Sequence, residues 1–229
     1  MFSLRSRYFM DVKTKSFLGI GSIFSLLFGV VGFFYSVFVI LFLFKNLLPV
    51  WSLKFFNQAE GHLLFLNLLF FVGVLLNTFF LGVVISFHSL CREENKGLVS
   101  WISLVAIIGA STALFQQSTV IANLGLITQS FFNFGGDIQS AISFIKLTQG
   151  DHYLFYWASL SIWFISLSCL AINNKLIPSY LVGLGILVGV LSFFIVVSIL
   201  FSMSIFYIFS WGLWSLIIPI WGILEGFFY

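Results

Sequence analysis

The chain has 229 residues, of which 61% are hydrophobic and only 7% are charged. Soluble domains carry about 25% charged residues, so this composition excludes an ordinary soluble domain and indicates a membrane-embedded chain. The net charge of +3 does not indicate nucleic-acid binding, because the basic residues are scattered and form no stripe with interleaved aromatic residues.

Six apolar segments follow one another along the chain, and each approaches or exceeds the roughly 20 residues that a transmembrane helix needs. The predicted spans cover residues 17–44, 62–88, 98–121, 152–172, 180–200 and 205–223. The break between the last two spans is marked only by Ser202, Met203 and Ser204. The sequence therefore predicts an all-α, polytopic membrane bundle of about six transmembrane helices, with residues 1–229 forming a single transmembrane domain.

A short amphipathic helix is predicted between spans 3 and 4, within the long segment 122–151. There, Gly135, Gly136 and Asp137 precede three isoleucines at positions i, i+4 and i+7, which are Ile138, Ile142 and Ile145. This spacing places the isoleucines on one helical face and is typical of a helix that lies flat on the membrane surface.

The distribution of Lys and Arg predicts the orientation of the chain, because cytoplasmic flanks are enriched in these residues. Seven lie on one predicted side, namely Arg5, Arg7, Lys13, Lys15, Arg92, Lys96 and Lys175. Three lie on the other side, namely Lys45, Lys54 and Lys146. We therefore expect an integral, multi-pass protein of a cell inner membrane, with both termini in the cytoplasm.

Small residues recur at helical spacing in two spans, and in lipid such stripes favour close helix–helix contact. Span 1 carries Ser22, Ser25, Gly29, Gly32 and Ser36, and span 5 carries Gly185 and Gly189. The alternative interpretation of these stripes is a ligand groove, but helix packing accounts for them without any ligand.

A polar line runs along span 3, where Thr112, Gln116, Thr119 and Asn123 follow at i, i+4, i+7 and i+11. Amide side chains that face lipid would leave their donors and acceptors unpaired. We predict that Gln116, Thr119 and Asn123 form an outward-facing polar pocket with Asn67 and His152 at the outer ends of spans 2 and 4. The alternative is that these amides bond one another and tie the bundle together.

Two acidic residues stand beside histidines, as Glu60 near His62 and Asp151 next to His152. Histidines with carboxylates are weak candidates for a divalent metal site, although acidic residues at helix starts are also favoured by the helix dipole. No known catalytic motif is present in the sequence, and we expect no cofactor.

Two stretches carry a resemblance to a known kind of protein. Residues 84–110 (VISFHSLCREENKGLVSWISLVAIIGA) contain a span, a charged turn and another span, and residues 167–194 (LSCLAINNKLIPSYLVGLGILVGVLSFF) contain a polar turn, Leu-Ile-Pro and a Gly-rich helix. This arrangement resembles an uncharacterised family of six-span bacterial integral membrane proteins, a domain-of-unknown-function family. The resemblance implies a six-helix fold and implies no functional residue.

The absence of catalytic motifs favours a non-enzymatic function. The leading interpretation is an accessory subunit of a membrane complex, or a bundle that binds a small ligand or lipid in an outward-facing polar pocket. The alternatives are a facilitator-type small-molecule transporter and a membrane enzyme with a metal at the outer histidine/acid cluster. The expected partners are the lipid bilayer and other membrane subunits, with no nucleic acid.

Overall fold

The computed structural model describes residues 12–44, 62–92, 95–133, 152–174, 177–201 and 203–228. Six helices occupy these residues: α1 (Val12–Phe44), α2 (Leu63–Cys91), α3 (Lys96–Asn133), α4 (His152–Asn174), α5 (Ser179–Leu200) and α6 (Ser204–Phe228). All six are long and apolar enough to cross a bilayer. The prediction of an all-α, six-span membrane bundle is confirmed.

Local sequence explains where several helices begin. Asn95 precedes α3, and its side-chain oxygen accepts a hydrogen bond of 3.1 Å from the backbone N–H of Leu98. This is the usual role of Asn at a helix N-terminus, where the first N–H groups lack helical partners. Pro178 precedes α5 with φ −58° and ψ 143°, an extended conformation that separates the helix from the preceding chain.

The break between α5 and α6 falls where the sequence predicted it. Helix α5 ends at Leu200 and α6 begins at Ser204. The backbone N–H of Met203 donates to the carbonyl of Ser198 over 2.8 Å, and that of Tyr207 donates to the carbonyl of Met203 over 3.0 Å. The turn is therefore held by backbone hydrogen bonds, and the two spans are separate helices.

Helix α3 is longer than the span predicted from hydropathy. It continues to Asn133, although the predicted span ended at residue 121. Polar residues mark where a helix leaves the membrane, but they do not end the helix unless a helix-breaking residue follows. The first pair of adjacent glycines after Asn133 is Gly135-Gly136. The predicted surface helix over residues 135–145 lies outside the described residues.

The helices are arranged as a closed ring. Each helix packs against its neighbours in the sequence, and α6 packs most extensively against α1. The last span therefore closes the ring on the first. Bulky apolar side chains such as Phe33, Phe115 and Ile205 are exposed on the outside of the ring, which suits contact with the lipid bilayer.

The centre of the ring is filled with aromatic side chains. Trp163 of α4 and Trp221 of α6 are buried, and both lie against Phe164, with ring centroids 4.9 and 5.0 Å away. Phe80 and Phe87 of α2 join them, at 5.2 and 5.6 Å from Trp163. We call these five residues the aromatic plug.

Candidate functional site

The side chains of Asn77 and Gln117 join α2 to α3 inside the membrane. The Asn77 Nδ2 amide donates to Gln117 Oε1 over 3.2 Å and to the Gly73 carbonyl of its own helix over 3.0 Å. Gly73 makes room for this pair, because a Cβ at that position would lie 2.7 Å from Gln117 Nε2. Asn77 is the middle residue of α2, so the pair lies deep in the bilayer.

Three amide oxygens of α2 and α3 are buried and accept no hydrogen bond from the residues that the structure describes. They are Asn77 Oδ1, Gln116 Oε1 and Asn67 Oδ1. Asn77 and Gln116 are each 2% exposed, so neither oxygen is compensated by solvent contact. A buried acceptor without a donor costs about 1–3 kcal/mol, so each of these oxygens calls for an explanation.

Gln116 and Gln117 are adjacent in the sequence but lie on different sides of α3. Gln117 contacts α2 through Asn77. Gln116 follows Gly109 by seven residues, which is about two helical turns, and Gly109 lies against Ser159 of α4. Gln116 is therefore on the side of α3 that faces α4, and the amides span the region between α2, α3 and α4.

Besides Gln116, the predicted polar line of span 3 contains Thr112, Thr119 and Asn123, and the side chains of these three residues form hydrogen bonds with carbonyls of their own helix. The Thr112 hydroxyl donates to the Gly109 carbonyl over 2.7 Å, and the Thr119 hydroxyl donates to the Phe115 carbonyl over 2.8 Å. The Asn123 amide donates to the Thr119 carbonyl over 2.8 Å. These contacts satisfy donors that the membrane would otherwise leave unpaired, and they differ from the interhelical bond of Gln117.

The predicted convergence of Gln116, Thr119 and Asn123 with Asn67 and His152 stays a prediction. The hydrogen bond that the structure places between α2 and α3 joins Asn77 to Gln117, two residues outside the predicted pocket. The backbone of His152 begins α4, four residues before Tyr156, which borders Gly109. By helical rise, His152 lies about 6 Å from Tyr156 along α4, and Gln116 lies about 10 Å from Gly109 along α3.

The sequence analysis gave no role to either Asn77 or Gln117. One signal was available in the sequence, because Gly73 precedes Asn77 by one helical turn. A glycine beside an amide in a membrane helix indicates that a neighbouring chain approaches closely. Gln117 itself could be recognised only once α2 was known to pack on that side of α3.

The predicted packing glycines of span 1 lie against α6. A Cβ at Gly29 would lie 2.5 Å from the backbone nitrogen of Ile223, and one at Gly32 would lie 3.4 Å from Cα of Pro219. Ser25 is completely buried. On span 5, a Cβ at Gly185 would lie 2.5 Å from the Ser168 hydroxyl.

Gly189 completes the predicted set, and a Cβ there would lie 2.6 Å from Cγ1 of Ile165 in α4. Gly185 and Gly189 thus both lie where α5 approaches α4, as Gly29 and Gly32 lie where α1 approaches α6. At Gly29, Gly185 and Gly189 a neighbouring helix occupies the space that a Cβ would need, whereas a Cβ at Gly32 would be in ordinary van der Waals contact.

The candidate metal ligands fall mostly outside the described part of the chain. Glu60 and Asp151 are not described, and nor is the side chain of His152. His62 is partly buried just before α2. Within the described residues, no group of three or more His, Cys, Asp or Glu side chains could hold a metal ion.

Comparisons with known proteins do not identify the chain. No protein-family model, no curated protein and no solved structure matches it. Function is therefore argued from the geometry of the chain alone.

Proposed function

We propose that this six-span membrane protein is a non-enzymatic binding protein, and that its ligand is a lipid or small amphiphile that carries a hydrogen-bond donor. The observation that carries this proposal is the set of buried amide oxygens on Asn67, Asn77 and Gln116, which accept no hydrogen bond from the described residues. An oxygen of this kind is satisfied by a donor, so the ligand offers a hydroxyl or ammonium group.

The chemistry of the region favours binding over catalysis. Amide side chains neither transfer protons nor attack substrates under ordinary conditions, and they orient ligands through hydrogen bonds. The region lies between α2, α3 and α4, at a depth where lipid tails and apolar ligands are soluble. A ligand donor there would gain more than it would in water, because the alternative is an unpaired polar group in a low-dielectric medium.

The neighbouring indoles do not compete for this role. Trp163 and Trp214 also have buried N–H groups without hydrogen-bond partners among the described residues. Trp214 meets Trp157 edge to face, with centroids 5.0 Å apart and an angle of 90°, and Trp163 meets Phe80 at 82°. Such geometry allows weak N–H···π contacts, whereas an amide oxygen has no equivalent acceptor contact with an aromatic face.

Native mass spectrometry of the protein extracted gently from its membrane tests the proposal. We expect a bound species of constant mass on the wild-type protein and its loss from Gln116→Leu, which removes one acceptor without touching the Asn77–Gln117 bond. The matched control is Thr78→Val, because Thr78 is exposed on α2 next to Asn77 and its hydroxyl bonds the Val74 carbonyl of its own helix.

The mass of the species distinguishes a membrane lipid from another small molecule. Retention of the species in Thr78→Val and its loss in Gln116→Leu support the site. A wild-type protein that carries no species, or a Gln116→Leu variant that retains it fully, contradicts the proposal.

We further propose that the ligand enters from the outer side of the membrane and that both termini are cytoplasmic. The support is the seven-to-three distribution of Lys and Arg together with the positive-inside rule. A protease-cleavable tag at either end should resist protease added to intact cells. Cleavage of a tag in intact cells would show that the terminus lies outside and would contradict the proposed orientation.

A further inference from the structure

The contact between α1 and α6 contains a feature that helix packing alone does not explain. Pro219 lies inside α6, and proline has no backbone N–H. The carbonyl of Ser215, four residues earlier, therefore lacks its normal helical donor. In a membrane such a carbonyl must find another partner.

Ser36 of α1 supplies that partner. Its hydroxyl contacts the Ser215 carbonyl, and it also lies 2.8 Å from the Gly32 carbonyl of its own helix. A serine hydroxyl has one proton to donate, so the two carbonyls compete for it. If α6 moves away, Ser36 keeps a hydrogen bond within α1, and the contact with Ser215 breaks at little cost to α1.

The rest of this contact is a close approach of the two helix backbones. Gly32 lies beside Pro219, and Gly222 approaches the backbone of Gly29, where a Cβ would lie 2.9 Å from its Cα. The Ile223 side chain lies beside Gly29 and the Leu26 side chain lies beside Gly226, so glycines of each helix accommodate an apolar side chain of the other. At the inner end, the Ser22 hydroxyl donates to the Gly226 carbonyl over 2.7 Å, and movement of the inner half of α6 would also break this bond.

Pro219 also separates two aromatic contacts in the middle of the ring. Before it, Trp214 packs edge to face on Trp157 of α4. After it, Trp221 belongs to the aromatic plug and stacks on Phe87 with ring centroids 5.9 Å apart. A change of bend at Pro219 therefore shifts Trp221 relative to Trp214, and so shifts the aromatic plug relative to the outer part of the ring.

We propose that Pro219 is a hinge in α6 and that Ser36 is its latch, so that release of the Ser36–Ser215 bond lets the inner half of α6 move and loosens the aromatic plug. This device lies on a different joint of the ring from the amide oxygens of the proposed ligand site. Proline kinks of this type occur where neighbouring side chains satisfy the carbonyl that proline leaves without a donor.

Hydrogen–deuterium exchange of the amides at 220–228 in nanodiscs tests the proposal. Ser36→Ala removes the latch and should raise the exchange rate of this segment several-fold. Pro219→Ala restores an N–H donor for Ser215 and should lower it. Ser215 then no longer needs Ser36 as a donor, so the double variant Ser36→Ala/Pro219→Ala should exchange at the same rate as Pro219→Ala alone.

The matched control is Ser192→Ala. Ser192 is completely buried in α5, but its hydroxyl bonds the Val188 carbonyl of its own helix over 2.8 Å, so exchange at 220–228 should stay at the wild-type rate. Equal exchange at 220–228 in wild type, Ser36→Ala and Pro219→Ala overturns the hinge. A double variant that exchanges as fast as Ser36→Ala overturns the latch, even if Pro219→Ala alone slows exchange.

Discussion

The α1–α6 joint and the α2–α3 joint are held together in different ways. At α1–α6, backbones meet at Gly29 and Gly222, and serine hydroxyls donate to backbone carbonyls. The side chains of Tyr35 and Trp211 are also hydrogen-bonded across this joint. At α2–α3, the bond joins two amide side chains, Asn77 and Gln117. Close packing and side-chain hydrogen bonds are the two general ways in which helices associate in lipid.

The difference separates a structural joint from a candidate binding region. At α1–α6, the hydroxyls of Ser22 and Ser36 donate to carbonyls of α6, whereas the completely buried Ser25 hydroxyl has no hydrogen-bond partner among the described residues. Around α2–α3, one amide bond leaves the oxygens of Asn77 and Gln116 without donors among the described residues. The close backbone contact makes α1–α6 a structural joint, whereas the two amide oxygens near α2–α3 are open to a further hydrogen-bond donor.

The largest expected effect is at Gly29. In Gly29→Ala, the new Cβ would lie 2.5 Å from the backbone nitrogen of Ile223, and backbone atoms cannot move aside as a flexible side chain can. Overpacking of this kind costs about 1–3 kcal/mol, and we expect the loss as a lower midpoint of thermal unfolding in nanodiscs.

Gly19→Ala is the matched control for Gly29, because a Cβ at Gly19 in the same helix would meet nothing within 4 Å. It should unfold at the wild-type temperature or slightly above, since alanine favours helices more than glycine does. Equal midpoints for the two variants would show that α1 and α6 are not in close contact.

A smaller loss of stability is expected when the amide bond is broken. Asn77→Leu removes the donor to Gln117, and interhelical hydrogen bonds in membranes contribute about 0.6 kcal/mol on average and about 1.7 at most. A double-mutant cycle with Gln117→Leu measures the coupling directly. A coupling energy of zero would mean that the amides do not bond, and the contrast between the two joints would be lost.

The sequence predicted the helices well and their arrangement poorly, for physical reasons. Apolar length determines which segments cross a bilayer, so all six spans could be predicted without knowledge of their neighbours. The small-residue stripe of α1 could also be recognised. Its partner on α6 was missed, and it consists of Ser215, Pro219, Gly222 and Gly226, which are spaced at three or four residues.

The contacts of the candidate site could not be predicted from the sequence for the same reason. Periodicity grouped Gln116 with Thr112, Thr119 and Asn123, but it could not say which neighbour each residue meets. Gln117 lies one residue along and bonds to α2 instead, because a rotation of about 100° per residue carries it to another side of the helix. Ring order decides such contacts, and that order is a property of all six helices together.

The smallest expected effect is the fraction of a cysteine at position 116 that a thiol reagent labels. We expect a cysteine in place of Gln116, in a background with Cys91 and Cys169 replaced by alanine, to react partially with a membrane-impermeant thiol reagent added outside. The matched control is Phe115→Cys in the same background, since Phe115 is 67% exposed on the lipid-facing surface and should not react. Equal yields at the two positions would remove the evidence for an outward pocket.

The sign of one stability change tests the central claim most directly. If a ligand donor satisfies Gln116 Oε1 in the membrane, Gln116→Leu in native-lipid nanodiscs should lower the midpoint of thermal unfolding, and Thr78→Val should not change it. If the oxygen is buried without a donor, replacing it with an apolar side chain removes a cost, and the midpoint of Gln116→Leu should rise. A rise would contradict the account of this region as a binding site.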